Sequence, residues 1–550
     1  MRLDRRFTGI IVCFLLFAAA LGVRLVWLQL LQHDELATIA DRQKVRTAEL
    51  LQYPRGAILD RHGSAITNGE QAAALLIIPA LVDDAATLAE AAGAIIGVQP
   101  ELLARKIAGT DSDGTELRYT PFVAKTPLSG SEVTAVAALE ANGVFLTSQV
   151  SRYQSDLPAL HIVGTVARAE GDAQAGGTLS GTSGLEYAYE EVLHGGGGQT
   201  LGVIVDQHDR AVNGGQYLIF DEPPSSGGVV QTTLDLEIQR AVEDALGERS
   251  GAAVVLDAQS GDVLALASGP KFDPYYLSPP EGDDAYVNKA LSAYAAASMF
   301  KVFLSAVSIE SGIVAQSTPF FCNGAYTLPD GTAVRCWHEP GHGALTFDDA
   351  IAHSCNPVFI SLALKLGKDR IEQAFAAWEL DRDDLIGYPL STRSALTIDG
   401  GGENAVANVA LGEQGVRLTV LNVAKMLNVI ASGGRLLRPR LVTTVTDGGE
   451  LPAATYPAAL PLRVIAPETA AKVTTMMTKT FTQGTGRSLG LSSLDVAGKT
   501  GTSETGNVWI GGFLPAAQPR YTIAILIEGG KSGVTDAGPV FKKLCAYLST

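Results

Sequence analysis

The chain has 550 residues, 46% of them hydrophobic and 18% charged, a composition that excludes a disordered polypeptide and a length that exceeds one ordinary domain. Its formal charge of −17 excludes nucleic acid as a partner, because a polyanion would be repelled over most of the surface. Two large domains with an acidic, water-facing surface are expected.

Arg2, Arg5 and Arg6 precede a run from Thr8 to Leu31 that one charge, Arg24, interrupts. About 24 residues suffice to cross a bilayer. The pattern predicts a basic cytoplasmic stub at residues 1–7 and a transmembrane anchor at residues 8–31, with Arg24 snorkelling toward the outer interface. The alternative is a cleaved signal peptide ending at Ala18-Ala19-Ala20; the apolar run from Leu25 to Leu31, beyond that site, favours the anchor. Either outcome exports everything beyond Gln32.

Asp221 to Gly228 (DEPPSSGG) reads as a Pro/Gly/Ser linker. It divides the chain into residues 32–228 and 229–550. The first part holds Pro54 to Gly63, an extended arm ending in a turn-forming glycine, and a glycine tract at Gly195 to Gly198, with no catalytic constellation. In the second part, Asp235 is placed to cap a helix whose apolar positions Ile238, Ala241, Val242 and Ala245 recur at helical spacing. A hairpin follows, Ala252 to Leu256 and Val263 to Ala267 around Ser260-Gly261-Asp262, and Val508 to Leu514 and Tyr521 to Glu528 are further strands. Strands from both ends of this part flank a largely helical middle, so one sheet covered by helices is predicted.

Three motifs carry the chemistry. Ser298-Met299-Phe300-Lys301 sits where an Ala-rich approach enters a helix from Met299 to Ile309. A spacing of three brings the Lys301 amine within reach of the Ser298 oxygen, and burial beside Phe300 and Val302 would lower its pKa enough for it to act as a base. Ser354-Cys355-Asn356 follows a helix started by Thr346 with Asp348 and Asp349, and Pro357 opens a new helix that runs to Gly367. This motif therefore lies on a short connector. Lys499-Thr500-Gly501-Thr502 follows an apolar lead-in suited to a strand, where Gly501 would let a peptide pair with the edge while Lys499, Thr500 and Thr502 attract a terminal carboxylate. A phosphate-binding loop fails here, because its first glycine would be position 493, which is Ser493. Each motif alone has a bland reading as a solvated surface pair or a cap. Together, in this order, they describe a serine acyl-transfer site.

His338 and His342 lie close to Cys336 and invite a metal reading, but Pro340 and Gly341 between them break any common helical face. A loop of polar contacts beside the site is preferred, with no metal and no cofactor. Cys336 and Cys355 form a candidate redox pair: a disulfide would need their Cα atoms within about 7 Å and would tether the loop to the connector. Cys322 is the competing partner, and three packed thiols with no switch are the equal alternative.

The three motifs resemble those of the penicilloyl-serine transferase superfamily, which comprises penicillin-binding proteins and serine β-lactamases. Arg55-Gly56, Ile58, Asp60-Arg61 and Gly63, Arg152-Tyr153 with His161 and Gly164, and Gly181 with Gly184-Leu185-Glu186 resemble the pedestal of class B penicillin-binding proteins. Val254 to Asp257, Gly412 with Gln414-Gly415, Ala431 to Gly434 and Ala537 to Phe541 resemble further family segments in family order, and Cys336-Trp337 to Gly343 resembles a stretch before the second motif in several Gram-positive members. Two departures stand out: Gln154 where the family usually has Pro, and Ala296-Ala297 before Ser298 in place of Pro-Gly.

The resemblance implies an α/β (α+β) fold: a β-lactamase-like transpeptidase domain with a central antiparallel sheet, preceded by an elongated β-rich pedestal and an N-terminal transmembrane helix. It implies a D,D-transpeptidase that cross-links peptidoglycan stem peptides outside the bacterial cytoplasmic membrane and is acylated by β-lactams. Ser298 would attack the penultimate D-alanine carbonyl with Lys301 as base, Ser354 and Lys499 delivering the proton and Asn356 holding the substrate amide. Backbone N–H groups of Ser298 and Thr502 would form the oxyanion hole. A polytopic glycan-polymerising glycosyltransferase is the implied partner. A β-lactam hydrolase or sensor is one alternative and a catalytically inactive scaffold another, the latter motivated by Ala297.

Overall fold

In the computed structural model, residues 2–32, 45–52, 55–68, 71–108, 122–150, 152–153, 157–168, 179–204, 217–225, 227–272, 274, 284–328, 330–389, 394–399, 402–447 and 452–550 are described. Gln154 lies outside them. The first helix runs from Arg2 to Val26 and continues as a wider turn from Trp27 to Leu31. Its stretch Gly9–Gln29, 21 residues with a mean hydropathy of 2.5, is long and apolar enough to cross a membrane and is not buried by any other of the described residues.

The part between this helix and residue 228 is built on a six-stranded sheet in the order Phe122–Lys125, Gln71–Ile77, Val144–Val150, Val45–Gln52, Gly196–Ile204, Tyr217–Ser225. One face is covered by the helix Ala85–Ile96, whose N-terminal N–H groups are accepted by Asp84 and which ends at the left-handed Gly97. Leu88, Ala92 and Ile96 bury themselves there with Leu75 and Ile77 of the sheet.

Below the sheet the extended arm is fixed by charge. Arg55 donates from Nε to Glu186 Oε2 at 2.7 Å and from Nη2 to Glu190, while Arg152 donates from Nε to Glu186 Oε1 at 2.6 Å and from Nη1 to the Gly56 carbonyl at 2.7 Å. The Glu186 side chain has no exposure and the Arg55 and Arg152 side chains have 5% and 2%. The arm then supplies Ile58–Leu59 as a parallel edge to Val229–Thr232, which pairs in turn with Val442–Thr446 and so with Pro452–Thr455. One four-stranded sheet thus contains chain from both sides of the Asp221 to Gly228 segment, whose first five residues are not the expected linker but the end of the strand Tyr217–Ser225, paired with Gly196–Ile204.

The second part is the helix-covered sheet that the sequence predicts. Strands β1 (Gly251–Asp257), β2 (Val263–Gly269), β3 (Ala497–Thr502), β4 (Val508–Leu514) and β5 (Tyr521–Ile527) lie in the order β2-β1-β5-β4-β3, with every pairing antiparallel. In β1, Val254 and Leu256 join one apolar cluster while Ala253 and Val255 join another, as the two-residue period of a strand requires. Helix α1 (Leu236–Leu246), capped by Asp235, and the last helix, Gly538–Leu548, cover the second face. Against the first face lies helix α2 (Val420–Ala431), in which every residue is buried. A helix buried on all sides has to occupy the middle of a domain. Its one cation, Lys425, satisfies its amine with the carbonyls of Glu379 and Arg382 at 2.7 and 2.8 Å.

Removing the carboxylate between two buried guanidinium groups leaves Arg152 uncompensated and Arg55 with Glu190 alone. Glu186→Ala is expected to lower the free energy of urea unfolding by roughly 3–5 kcal/mol. Glu190→Ala, whose side chain is 28% exposed, should cost clearly less.

Candidate active site

Ser298 lies in a single tight turn, Ala297–Met299, that runs directly into helix α3 (Phe300–Glu310). The turn is held by the Ala297 N–H donating to the Gly412 carbonyl at 2.8 Å. Ala297 has φ +46°, in the left-handed region that the absent glycine would occupy freely. The departure seen in the sequence is therefore absorbed as local strain, and the serine keeps its place. Gly412 explains the neighbouring motif, because a Cβ there would stand 2.0 Å from the Ala297 carbonyl oxygen.

The connector between helices α4 (Phe347–Ala352) and α5 (Asn356–Leu366) carries the second motif. Helix α4 begins with the expected box, in which Thr346 accepts from the Asp349 N–H and Asp349 accepts from the Thr346 N–H. Ser354 has φ +55°. This second strained residue turns its hydroxyl to donate to Ser298 Oγ at 2.9 Å.

The Lys301 amine is fully buried and directs three contacts at this connector: the Ser354 carbonyl at 3.0 Å, Ser354 Oγ at 3.2 Å and Asn356 Oδ1 at 2.6 Å. It also lies 5.4 Å from the centre of the Phe359 ring. Among the described residues its link to Ser298 passes through Ser354, whereas the spacing of three had suggested direct contact. The tight turn before α3 places Ser298 off the regular helical path, which accounts for the difference. Burial lowers the Lys301 pKa from 10.5 to about 8. A neutral amine has two donors and one lone pair. The carbonyl and the amide oxygen take the donors, which leaves the lone pair for Ser354 Oγ once that hydroxyl turns from Ser298 to the amine.

The third motif occupies edge strand β3. Lys499 is buried and donates to the Thr500 carbonyl at 2.7 Å; burial and then the charge of Lys301 hold its pKa well below the usual value. Strand alternation puts Lys499 and Gly501 on one face and Thr500 and Thr502 on the other. Thr500 Oγ1 meets Thr485 Oγ1 at 2.6 Å, and Thr502 Oγ1 accepts from the Gly533 N–H at 3.2 Å. The reason for Gly501 also differs from the expected clear edge. A Cβ there would stand 3.2 Å from Trp509 Cβ and 3.5 Å from Met299, so the small residue seats the strand over the Ser298 turn.

Two further groups border the site without a signal in the isolated motifs. Glu413 accepts from Ser503 Oγ at 2.8 Å, just past the third motif, and burial raises its pKa. Asn356 Nδ2 donates to the Arg335 carbonyl at 3.2 Å, joining the connector to the preceding loop. In that loop the structure gathers Cys322, Cys336 and Cys355 as buried free thiols together with His342. His338 stands outside this group and lies tilted against His342, with ring centres 4.9 Å apart.

Comparison with known proteins is consistent over nearly the whole chain. Residues 251–546 match the model of the penicillin binding protein transpeptidase domain, and residues 51–232 match the penicillin-binding protein dimerisation domain. The peptidoglycan D,D-transpeptidase MrdA of Acinetobacter baumannii is 26% identical over 97% of this chain and 85% of its own length. A structure described as the coordination of polymerization and crosslinking by a peptidoglycan synthase complex has 24% identity and a TM-score of 0.64, covering 98% of both chains. Penicillin binding protein 3 of Mycobacterium tuberculosis, solved with aztreonam, has 22% identity and a TM-score of 0.62 over 91% of this chain and 96% of that one.

The strain at Ala297 is measurable. A left-handed alanine costs about 1–2 kcal/mol and glycine loses about 0.5–1 kcal/mol more on folding, so Ala297→Gly should raise stability by up to about 1 kcal/mol, read as an upward shift in the melting temperature.

Lys301 gives a second test. Between about 8 and 10.5 the unfolded amine keeps a proton that the native one has lost. Stability therefore rises with pH across that window, by about 3 kcal/mol for this group. Urea unfolding at about pH 7 and about pH 10 should show that rise reduced by about 2.5 kcal/mol in Lys301→Met, since the upper measurement stops short of the full window.

Proposed function

The chain belongs to the penicillin-binding protein transpeptidase family, and we propose that it is a class B D,D-transpeptidase, membrane-anchored with its catalytic domain outside the cytoplasmic membrane, that cross-links peptidoglycan stem peptides. The observation that carries this reading is the chain of contacts from Ser298 Oγ through Ser354 Oγ to the buried Lys301 amine, at 2.9 and 3.2 Å. With Lys301 neutral, the Ser354 hydroxyl turns from Ser298 to the amine lone pair and the Ser298 hydroxyl turns to Ser354 Oγ, so that Ser298 gives its proton to Ser354 as Ser354 gives its own to the amine. The freed alkoxide attacks the carbonyl of the penultimate D-alanine.

The proton returns along the same path to the leaving amine as the terminal D-alanine departs. Lys499 lies close enough to Lys301 for that charge to hold its own pKa down, and with Ser354 it delivers the proton to the leaving group. Asn356 orients the substrate amide through Nδ2 while its Oδ1 holds Lys301 in place. Thr500 and Thr502 take the substrate carboxylate, and the N–H groups of Ser298 and Thr502 stabilise the tetrahedral oxygen. An amine of a second stem peptide then accepts the acyl group.

A hydrolase would need a base to activate water at the acyl-serine. Among the described residues no carboxylate hydrogen-bonds to Ser298, Lys301 or Ser354, which supports a slow-releasing synthase. The seating of Ser298 by Ala297 weighs against an inactive scaffold. The dimerisation-domain match over residues 51–232 and the N-terminal apolar helix fit a protein that holds its site away from a membrane and works beside a glycan-polymerising glycosyltransferase.

Intact-mass measurement with benzylpenicillin tests the reading. The parent protein should gain one penicilloyl adduct, mapped to the peptide containing Ser298 and released slowly. Ser298→Ala should gain none while remaining folded, and Lys301→Ala should acylate at least about 100-fold more slowly. Rapid turnover of the adduct would identify a hydrolase, and no adduct under reducing conditions would identify a scaffold.

A further inference from the structure

We propose that Cys322, Cys336, His342 and Cys355 form a structural zinc site that clamps the loop preceding the second motif to the catalytic connector. One ligand atom from each of the four lies within 4.8 Å of every other. A zinc ion with Zn–S bonds of about 2.3 Å sets its ligands about 3.8 Å apart at the corners of a tetrahedron, so side-chain adjustments alone close the shell.

The four donors come from separate places, and hydrogen-bonded backbone brings them together. Cys322 ends the strand Pro319–Cys322 and pairs across the ladder with Gly343, the residue after His342. Cys336 follows the strand Ala333–Arg335, and its N–H donates to the Gly324 carbonyl at 2.8 Å. Cys355 precedes helix α5, and its N–H donates to the Ala350 carbonyl at 2.9 Å. The sequence argument against metal considered two histidines on one helix. The structure leaves His338 out and recruits two cysteines distant in sequence.

The polar bookkeeping points the same way. The three thiols are 1%, 3% and 0% exposed. His342 Nδ1 faces the thiols, 3.4 Å from Cys336 Sγ. A thiol is a poor substitute for the acceptor or donor that a buried imidazole requires, whereas a soft thiolate-rich set with one imidazole is a zinc set. Four protein donors with no room for water make the site structural rather than catalytic. Binding replaces three S–H protons, released to solvent, with three Zn–S bonds and one Zn–N bond, without oxidation or reduction.

The site touches catalysis through position. Cys355 stands between Ser354 and Asn356, whose oxygens receive the Lys301 amine. The Arg335 carbonyl, next to Cys336, accepts from Asn356. An ion fixing both cysteines fixes the connector that carries the proton relay.

The test uses the full chain purified in detergent without chelator, with metal content measured by mass spectrometry. About one equivalent of zinc per chain is expected, falling at least roughly tenfold in Cys322→Ser and in His342→Ala. Growth with cobalt in place of zinc should give the parent protein a thiolate-to-cobalt charge-transfer band, a readout that needs no variant to fold. Removal of the metal should lower the melting temperature and slow penicillin acylation, and added zinc should restore both. Zinc-free parent protein with all three thiols free by titration, or with a Cys336–Cys355 or Cys322–Cys336 disulfide found by peptide mapping, overturns the proposal. So does a metal content unchanged in both variants.

Discussion

Everything near the nucleophile follows from one primary amine kept out of water. A fully buried Lys301 has to find acceptors in the protein or surrender its proton, and the connector between α4 and α5 is built to offer both options. Its carbonyl and amide oxygens satisfy the charged form, and its hydroxyl is placed to donate to the neutral form. The apolar packing of α3 and α5 around Phe300, Phe303 and Phe359 is what keeps water away. The hydrophobic core and the reactivity of the serine are therefore the same structure seen from two sides.

The strained residues fit this view. Ala297 and Ser354 both sit at positive φ, one immediately before the nucleophile and one at the relay hydroxyl. Each conformation is costly for a residue with a Cβ, and each is fixed by contacts made elsewhere: the Gly412 carbonyl in the first case, the Ile351 carbonyl in the second. A relaxed backbone at either point would swing a hydroxyl out of line.

Local rules carried the reading of the sequence as far as local rules apply. Asp235, Thr346 and Pro357 announced helix starts that the backbone uses, and the apolar runs at residues 252–256, 263–267, 508–514 and 521–527 are sheet strands. The three motifs named the residues that converge. Their relative geometry was beyond reach, because it depends on packing between segments far apart in the chain. The Ser298 to Lys301 spacing could not reveal that Ser354 stands between them. Gly501 looked like a clearing for a ligand, yet its neighbour is Met299, which is 202 residues earlier (501 − 299). The gathering of Cys322, Cys336, His342 and Cys355 was equally hidden, since two hairpin strands and a helix start supply its members.

The four-stranded sheet shared by the two parts also has a mechanical meaning. Ile58–Leu59 runs parallel to Val230–Gln231, so a pull directed along the arm from the N-terminal side loads those ladder bonds in shear, all at once, rather than peeling them one by one. The buried pairing of Arg55 with Glu186 lies just ahead of that ladder and acts as a cleat on the same line. Tension applied to the arm is thereby delivered to the body that carries Ser298, and it reaches that body through a joint that resists sliding.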